Sequence, residues 1–367
     1  MKFTVSREAL IKPLQLVAGV VERRHTLPVL ANVLLVIEGD QLSLTGTDLE
    51  VEIVGRVQLE AAPGDGEITV PAKKFLDICR ALPEESVIEF SLKDQKVTVK
   101  SGRTRFTLST LPANEFPAVE EGSNDIVFSS EQREIKRLID RTSFAMAQQD
   151  VRYYLNGMLW EVRPTELRVV STDGHRLAMC TRPCAIDVTE SRQAILPRKG
   201  VIELSRLLND SEEQVHVSLG SSHIRATTNE YTFTSKLVDG KFPDYERVLP
   251  QGGDKFVLGN RSELKQAFAR TSILSNEKYR GVRLELETGM LTIIANNPEQ
   301  EEAKDQVAVD YTGESLEVGF NVSYLQDVTN VLDSENIKIT LADSNSSALI
   351  EEPENSDSAY VVMPMRL

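Results

Sequence analysis

Ser171, Asp173 and His175 put a hydroxyl, a carboxylate and an imidazole within one short stretch, Ser171-Thr-Asp-Gly-His-Arg-Leu-Ala178. These are the side chains of a nucleophile, an orienter and a general base. A relay needs such groups brought in from separate elements, and residues on one turn cannot line up in series. The stretch therefore reads as a polar turn or as a binding rim that carries a histidine. An enzyme using Asp173 and His175 is the competing reading, and it lacks a second catalytic element. The remaining chemistry is sparse. His25, His175, His216 and His223 show no metal spacing, and Cys79, Cys180 and Cys184 form no CxxC pair. No GxxxxGK[ST] loop and no strand-linked GxGxxG occurs. The expectation is a chain without metal or cofactor, its thiols buried in a reducing, cytoplasmic setting.

The turn recurs. Thr47-Asp48 precedes Thr172-Asp173 by 125 residues, and Asn297 follows Asp173 by 124. Each comes just after an alternating apolar run that reads as a strand. Pro71-Ala-Lys-Lys-Phe-Leu and Pro197-Arg-Lys-Gly-Val-Ile are 126 apart, and Asn321-Val-Ser-Tyr-Leu follows after 124. Leu111-x4-Phe116-Pro117 matches Leu237-x4-Phe242-Pro243, again 126 apart. Several matches at nearly one offset imply three divergent copies of one domain. Polar, turn-rich segments near 120–125 and 251–254 place the domains at 1–125, 126–253 and 254–367.

Each copy reads as mostly strand with two helices, an α+β pattern. The first helix follows Ser6 as N-cap, with Leu10, Leu14, Val17 and Val21 inward and Pro13 as a kink or a delayed start. Ser129-x-x-Gln132 resembles a capping box that opens the third helix, with Ile135, Leu138, Ile139 and Thr142 inward. With 41% hydrophobic residues, each domain can bury a core, and no apolar run approaches a membrane span. The net charge of −15 is unlike the basic footprint of a nucleic-acid binder. The distribution differs from the sum. Helical segments 7–20, 72–82, 131–145, 198–208, 261–275 and 322–332 carry +1, +2, +1, +2, +2 and −1, together +7, which leaves −22 elsewhere. Either the repeats share one positive surface, or helix surfaces merely favour Lys and Arg.

The terminal Tyr360-Val-Val-Met-Pro-Met-Arg-Leu367 is apolar almost to its end, so it is either docked as part of a groove or a last core strand. Phe106 and Leu108 share one strand face. Ile273 lies 180° from the inward stripe of its helix, which makes it outward, unless the helix has already ended. Together with Leu274 these residues give a candidate heterologous, head-to-tail contact between copies of the chain.

Long strings along the whole chain resemble the bacterial β sliding clamps, the processivity subunits of replicative DNA polymerase III. Among them are Ser43-Leu-Thr-Gly-Thr-Asp-Leu-Glu50, Asp150-Val-Arg-Tyr-Tyr-Leu-Asn-Gly-Met158, Thr172-Asp-Gly-His-Arg-Leu177, Phe233-Thr-Ser-Lys-Leu-Val-Asp-Gly-Lys-Phe-Pro-Asp-Tyr245, Gly319-Phe-Asn-Val-Ser-Tyr324 and Met363-Pro-Met-Arg-Leu367. The resemblance implies a non-enzymatic, head-to-tail homodimer ring whose helices line a hole around duplex DNA. It assigns DNA contact to Arg24, Gln149, Tyr153 and Tyr154, and to Lys73 where arginine is common. It assigns a peptide groove between domains two and three. That groove takes Leu155, Thr172, Gly174, His175, Arg176, Leu177, Pro243, Arg247 and Val248 from one side. From the other it takes Asn321, Tyr324, Ser347, Val361, Val362, Met363, Pro364, Met365 and Arg366. The implied occupants are Gln-x-x-Leu-Phe-like peptides of polymerase III α and other DNA polymerases, the clamp-loader complex, mismatch-repair proteins and ligase. The dimer contact would set Lys74, Phe106 and Leu108 against Ile273 and Leu274, with Lys304 where the family is often more acidic.

Overall fold

The structure is a computed structural model, and it describes residues 1–21, 27–60, 62, 64–117 and 123–366. One element order recurs three times. In the first copy β1 (Lys2–Ser6) runs into α1 (Arg7–Val20). Then come β2 (Asn32–Glu38), β3 (Gln41–Thr47), β4 (Val51–Gln58) and β5 (Gly66–Pro71), which runs into α2 (Ala72–Ala81). The copy closes with β6 (Val87–Lys93), β7 (Lys96–Ser101) and β8 (Thr104–Ser109). The second copy repeats this with β9 (Ile126–Glu131), α3 (Gln132–Thr142), β10 (Gly157–Val162), β11 (Glu166–Thr172), β12 (Arg176–Pro183), β13 (Arg192–Pro197), α4 (Arg198–Leu207), β14 (Gln214–Leu219), β15 (His223–Thr227) and β16 (Tyr231–Lys236). The third has β17 (Lys255–Asn260), α5 (Arg261–Ser272), β18 (Gly281–Glu287), β19 (Met290–Asn296), β20 (Glu302–Asp310), β21 (Leu316–Asn321), α6 (Val322–Val331), β22 (Asn336–Leu341), β23 (Ala348–Glu351) and β24 (Ser358–Val362).

Local chemistry explains the elements and corrects several expectations. Ser6 does cap α1, its hydroxyl accepting from the Ala9 N–H. Pro13 neither delays nor ends that helix, which runs through it to Val20. Val20 rather than Val21 completes the buried stripe, because Val21 is already the C-cap. Ser129 is no helix cap. It sits inside β9, its hydroxyl 2.7 Å from His216 Nδ1, and α3 starts at Gln132. β5, β13 and β21 were not expected at all. Each runs straight into a helix, so no turn residue marks its end, and Pro71, Pro197 and Asn321 at the junctions read as helix starts alone. α5 ends at Ser272, so Ile273 is its C-cap, and it is 76% exposed. Of the cysteines, Cys79 and Cys180 are buried and Cys184 only half-buried; burial pushes all three thiols up, Cys79 to about 12.

The chain forms two compact units. One comprises Met1–Ile135 with Lys199–Leu237. It holds a four-stranded sheet, β1-β6-β7-β8, and an eight-stranded one, β5-β2-β3-β4-β16-β15-β14-β9. α1 lies close on the second sheet because Gly46 lacks a side chain; a Cβ there would stand 2.7 Å from the Val17 carbonyl oxygen. The other unit comprises Lys136–Arg198 with Val238–Leu367, and carries a twelve-stranded sheet, β13-β10-β11-β12-β24-β23-β22-β17-β20-β19-β18-β21. Both large sheets are continuous across a repeat boundary, and both by the same joint. The fourth strand of one copy pairs antiparallel with the last strand of the next: β4 with β16 (Val51↔Ser235) and β12 with β24 (Arg176↔Val362). Each joint covers two strand edges that would otherwise be exposed.

Candidate partner-binding groove

The groove builds on the hairpin turn between β11 and β12. The Thr172 hydroxyl donates to the Arg176 carbonyl (2.6 Å) and accepts from the Gly174 N–H (3.1 Å). One Asp173 carboxylate oxygen accepts from the N–H groups of His175 (2.9 Å) and Arg176 (3.1 Å). Gly174 has φ +89°, where a side chain is strained. Asp173 is thus occupied in holding the turn. Ser171 is fully buried while His175 is exposed, so the two point into different environments. Sequence neighbours here form no relay, and the turn reading holds.

Arg176 is the hub of the site. Its Nε donates to Asp173 (3.1 Å), a second nitrogen pairs with Asp327 of α6, and a third donates to the Phe144 carbonyl (2.8 Å). The guanidinium also lies 4.4 Å from the centroid of the Tyr324 ring and 5.3 Å from that of Phe144. Burial, with the Asp173 carboxylate nearby, pushes the Tyr324 phenol up. Asp327 is the only charge on α6, the one acidic helix segment of the six, and Arg176 consumes it. Asn321 caps that helix, accepting from the Ser323 N–H (2.9 Å), and so fixes Tyr324.

The floor lies alongside. Leu155, Leu177 and Val361 are buried in one apolar cluster with Phe242 and Tyr245, and Tyr154 packs against it half-buried. β24 answers both readings of the C-terminus: it is a fully buried core strand, and the chain then crosses the rim. The Met363 N–H donates to the His175 carbonyl (3.0 Å), and that of Met365 to Gly319 (2.9 Å). Met363 is 44% exposed; Pro364 and Met365 are half-buried and Arg366 exposed. On the far side Arg247, Val248 and Ser347 line a cavity of about 520 Å3, with Leu249, Pro250 and Thr340. Pro243 is exposed in the loop before the short turn Tyr245–Val248. The structure therefore brings together most of the residues that the resemblance assigned. Leu155, Leu177 and Val361 are covered by that cluster, whereas Val362 faces the other way into the core of the third copy. Phe144 and Asp327, which orient Arg176 together with Asp173, were not singled out. They lie far apart in sequence, and the lone charge of α6 was the one available sign.

Of the residues assigned to DNA contact, Tyr154 packs against the floor cluster. Gln149 is exposed at φ +56°, and Tyr153 is 57% exposed, edge-on to Tyr154 at 5.7 Å. Between them Arg152 makes a bidentate pair with Asp150 (3.1 and 2.9 Å), which holds that carboxyl down at about 2. Lys73 and Lys74 are exposed on α2 in the first unit. Leu108 is buried and Phe106 half-buried on β8. Leu274 is half-buried beside the exposed Ile273. Arg24 lies outside the described residues. Among the described residues no cluster of His, Cys, Asp or Glu could hold a metal, and no helix is long and apolar enough to cross a membrane.

This chain is similar to known proteins along its whole length. The family described as DNA polymerase III beta subunit matches throughout: its N-terminal domain at residues 1–120, its central domain at 130–244 and its C-terminal domain at 246–366. The beta sliding clamp of Pseudomonas putida is 66% identical over 100% of both chains, and that of Escherichia coli K12 is 54% identical over the same span. A solved sliding clamp from Pseudomonas aeruginosa, bound to griselimycin, is 66% identical over 100% of both chains with a TM-score of 0.98.

Proposed function

The chain belongs to the DNA polymerase III β subunit family, the bacterial β sliding clamps, and from that premise we propose how it works. It is a non-catalytic processivity factor. Two copies close head to tail around duplex DNA, and the groove of each tethers a polymerase or repair protein while the ring slides. The chain's three domains are 1–125, 126–253 and 254–367, and it acts in the cytoplasm.

One observation carries the closure. The joint that pairs β4 with β16 and β12 with β24 has no third instance among the described residues. Among the described residues β8 pairs only with β7, and residues 302–307 of β20 pair only with β19. These are the last strand of the first copy and the fourth strand of the third. Repeating the joint between two chains, at the 125-residue offset, sets residues 105–109 of one against 301–305 of its partner. Phe106 and Leu108 lie on that strand, and Arg105 falls opposite Asp305. Two such joints satisfy every edge of this kind, which is the condition for a closed dimer.

Retention by enclosure needs only weak phosphate attraction, which the basic helices supply, together with Lys73, Gln149, Tyr153, Tyr154 and Arg24. The acidic remainder discourages DNA on other surfaces. The groove takes Gln-x-x-Leu-Phe-like segments, the leucine and aromatic side chains over Leu155, Leu177 and Val361. Its partners are polymerase III α, other DNA polymerases, the clamp loader, mismatch-repair proteins and ligase. The test is primer extension on a primed circle with loader, ATP and polymerase. The chain should lengthen the product of each binding event, and excess free peptide should abolish the gain. Unchanged product length would overturn the proposal.

A further inference from the structure

The register of the twelve-stranded sheet carries the groove floor further than the groove. Leu177 pairs with Val361, Val361 with Leu349, and Thr340 with both Leu349 and Phe256. Directly opposed residues of antiparallel strands point to the same face. Leu177, Val361, Leu349, Thr340 and Phe256 therefore form one row across β12, β24, β23, β22 and β17. Cover decreases along it. Leu177 and Val361 are buried, Leu349 is half-buried against the same cluster, and Thr340 lines the 520 Å3 cavity. Phe256, at the end, is 56% exposed.

The charges beside this row are neutralised in place. Arg247 pairs with Asp244 (2.8 Å) and Lys338 with Glu351 (3.0 Å). An occupant therefore meets an aromatic ring, a threonine methyl and the Val248–Pro250 wall, without a net field to favour a charged group. Strand spacing puts Phe256 about 14 Å from Val361, three strands away, and an extended peptide spans that in about four residues.

We propose that the Phe256 ring, beside the cavity over Thr340, extends the groove and takes an apolar side chain, aromatic by preference, about four residues from the segment of the same partner peptide that fills the groove. The proposal rests on the groove reading above and on the continuity of this row with its floor. The experiment is fluorescence anisotropy with a labelled Gln-x-x-Leu-Phe peptide. Two longer forms, extended by four residues at either end, finish in Trp or in Ala. One Trp form should bind roughly fivefold to tenfold tighter than its Ala twin, the scale of one interface aromatic. Phe256→Ala should erase that gain and leave the core peptide's affinity unchanged. Equal affinities of the Trp and Ala forms, or a gain that survives Phe256→Ala, would overturn the extension. A core peptide that fails to bind the unaltered protein would overturn the groove reading itself. A change of oligomeric state in Phe256→Ala, read by sedimentation, would assign the ring to a contact between copies and overturn the extension too.

Discussion

The turns Thr47–Val51 and Thr172–Arg176 are the same object with different neighbours. In both, the threonine hydroxyl donates to the carbonyl four residues on and accepts from the N–H two residues on. In both, the aspartate accepts from the N–H groups two and three residues on. The middle residue is left-handed in each, Leu49 at φ +76° and Gly174 at +89°. The surroundings differ. Asp48 is buried and pairs with Lys199. Asp173 pairs instead with Arg176, which faces Tyr324 and the groove. One backbone device thus holds a buried carboxylate against Lys199 in the first unit and orients Arg176 in the second, and the residues beyond the turn decide which.

The largest break in that parallel is Asp48→Ala. It strips Lys199 of this partner and leaves two N–H groups without their acceptor, and about 2–3 kcal/mol of stability should go, allowing for the partial exposure of Lys199. Calorimetry should show an earlier first transition, while the peptide Kd stays unchanged. The pH dependence follows. Burial raises the Asp48 carboxyl, but the Lys199 ammonium and the two N–H groups outweigh it, so the group sits below its ordinary value. Its contribution is full above about pH 4, the unfolded value, and is lost as pH falls through the depressed one. The advantage of the natural chain over Asp48→Asn should shrink over that window.

Arg176→Ala should act oppositely, with a loss of at least about tenfold in peptide affinity from the collapsed rim and a smaller loss of stability, about 1 kcal/mol. A full-strength peptide signal in this variant would remove Arg176 from the site. The smallest effect is expected from Gly174→Ala. A Cβ there meets the Arg152 guanidinium at 3.0 Å, in addition to backbone strain of about 1 kcal/mol. Leu49 shows that the conformation itself tolerates a side chain. Only the part due to the Arg152 contact should vanish in Gly174→Ala/Arg152→Ala, read in Tm and peptide Kd, while the backbone strain of about 1 kcal/mol remains.

The repeat was legible because turn chemistry is local. Thr-Asp at one offset marks the same hydrogen bonds wherever it occurs, and the family-specific strings extended that to the groove. What stayed hidden is non-local. Arg176 draws two of its partners from residues 144 and 327, and Phe256 joins the groove only through register. Ser129 misled because an N-cap sequence can equally lie in a strand. β5, β13 and β21 went unread because the helix signal that follows each one begins where the strand ends. Ile273 is exposed, as its place on the helical wheel implies, for although it is the C-cap of α5 its backbone is still right-handed helical.

The most direct test of the account uses nicked circular DNA loaded with this protein by a clamp loader and ATP, then washed in high salt. Enclosure predicts retention on the intact circle and loss once the circle is cut a single time. Equal loss from both forms would contradict it and leave a peptide-binding adaptor in place of a clamp.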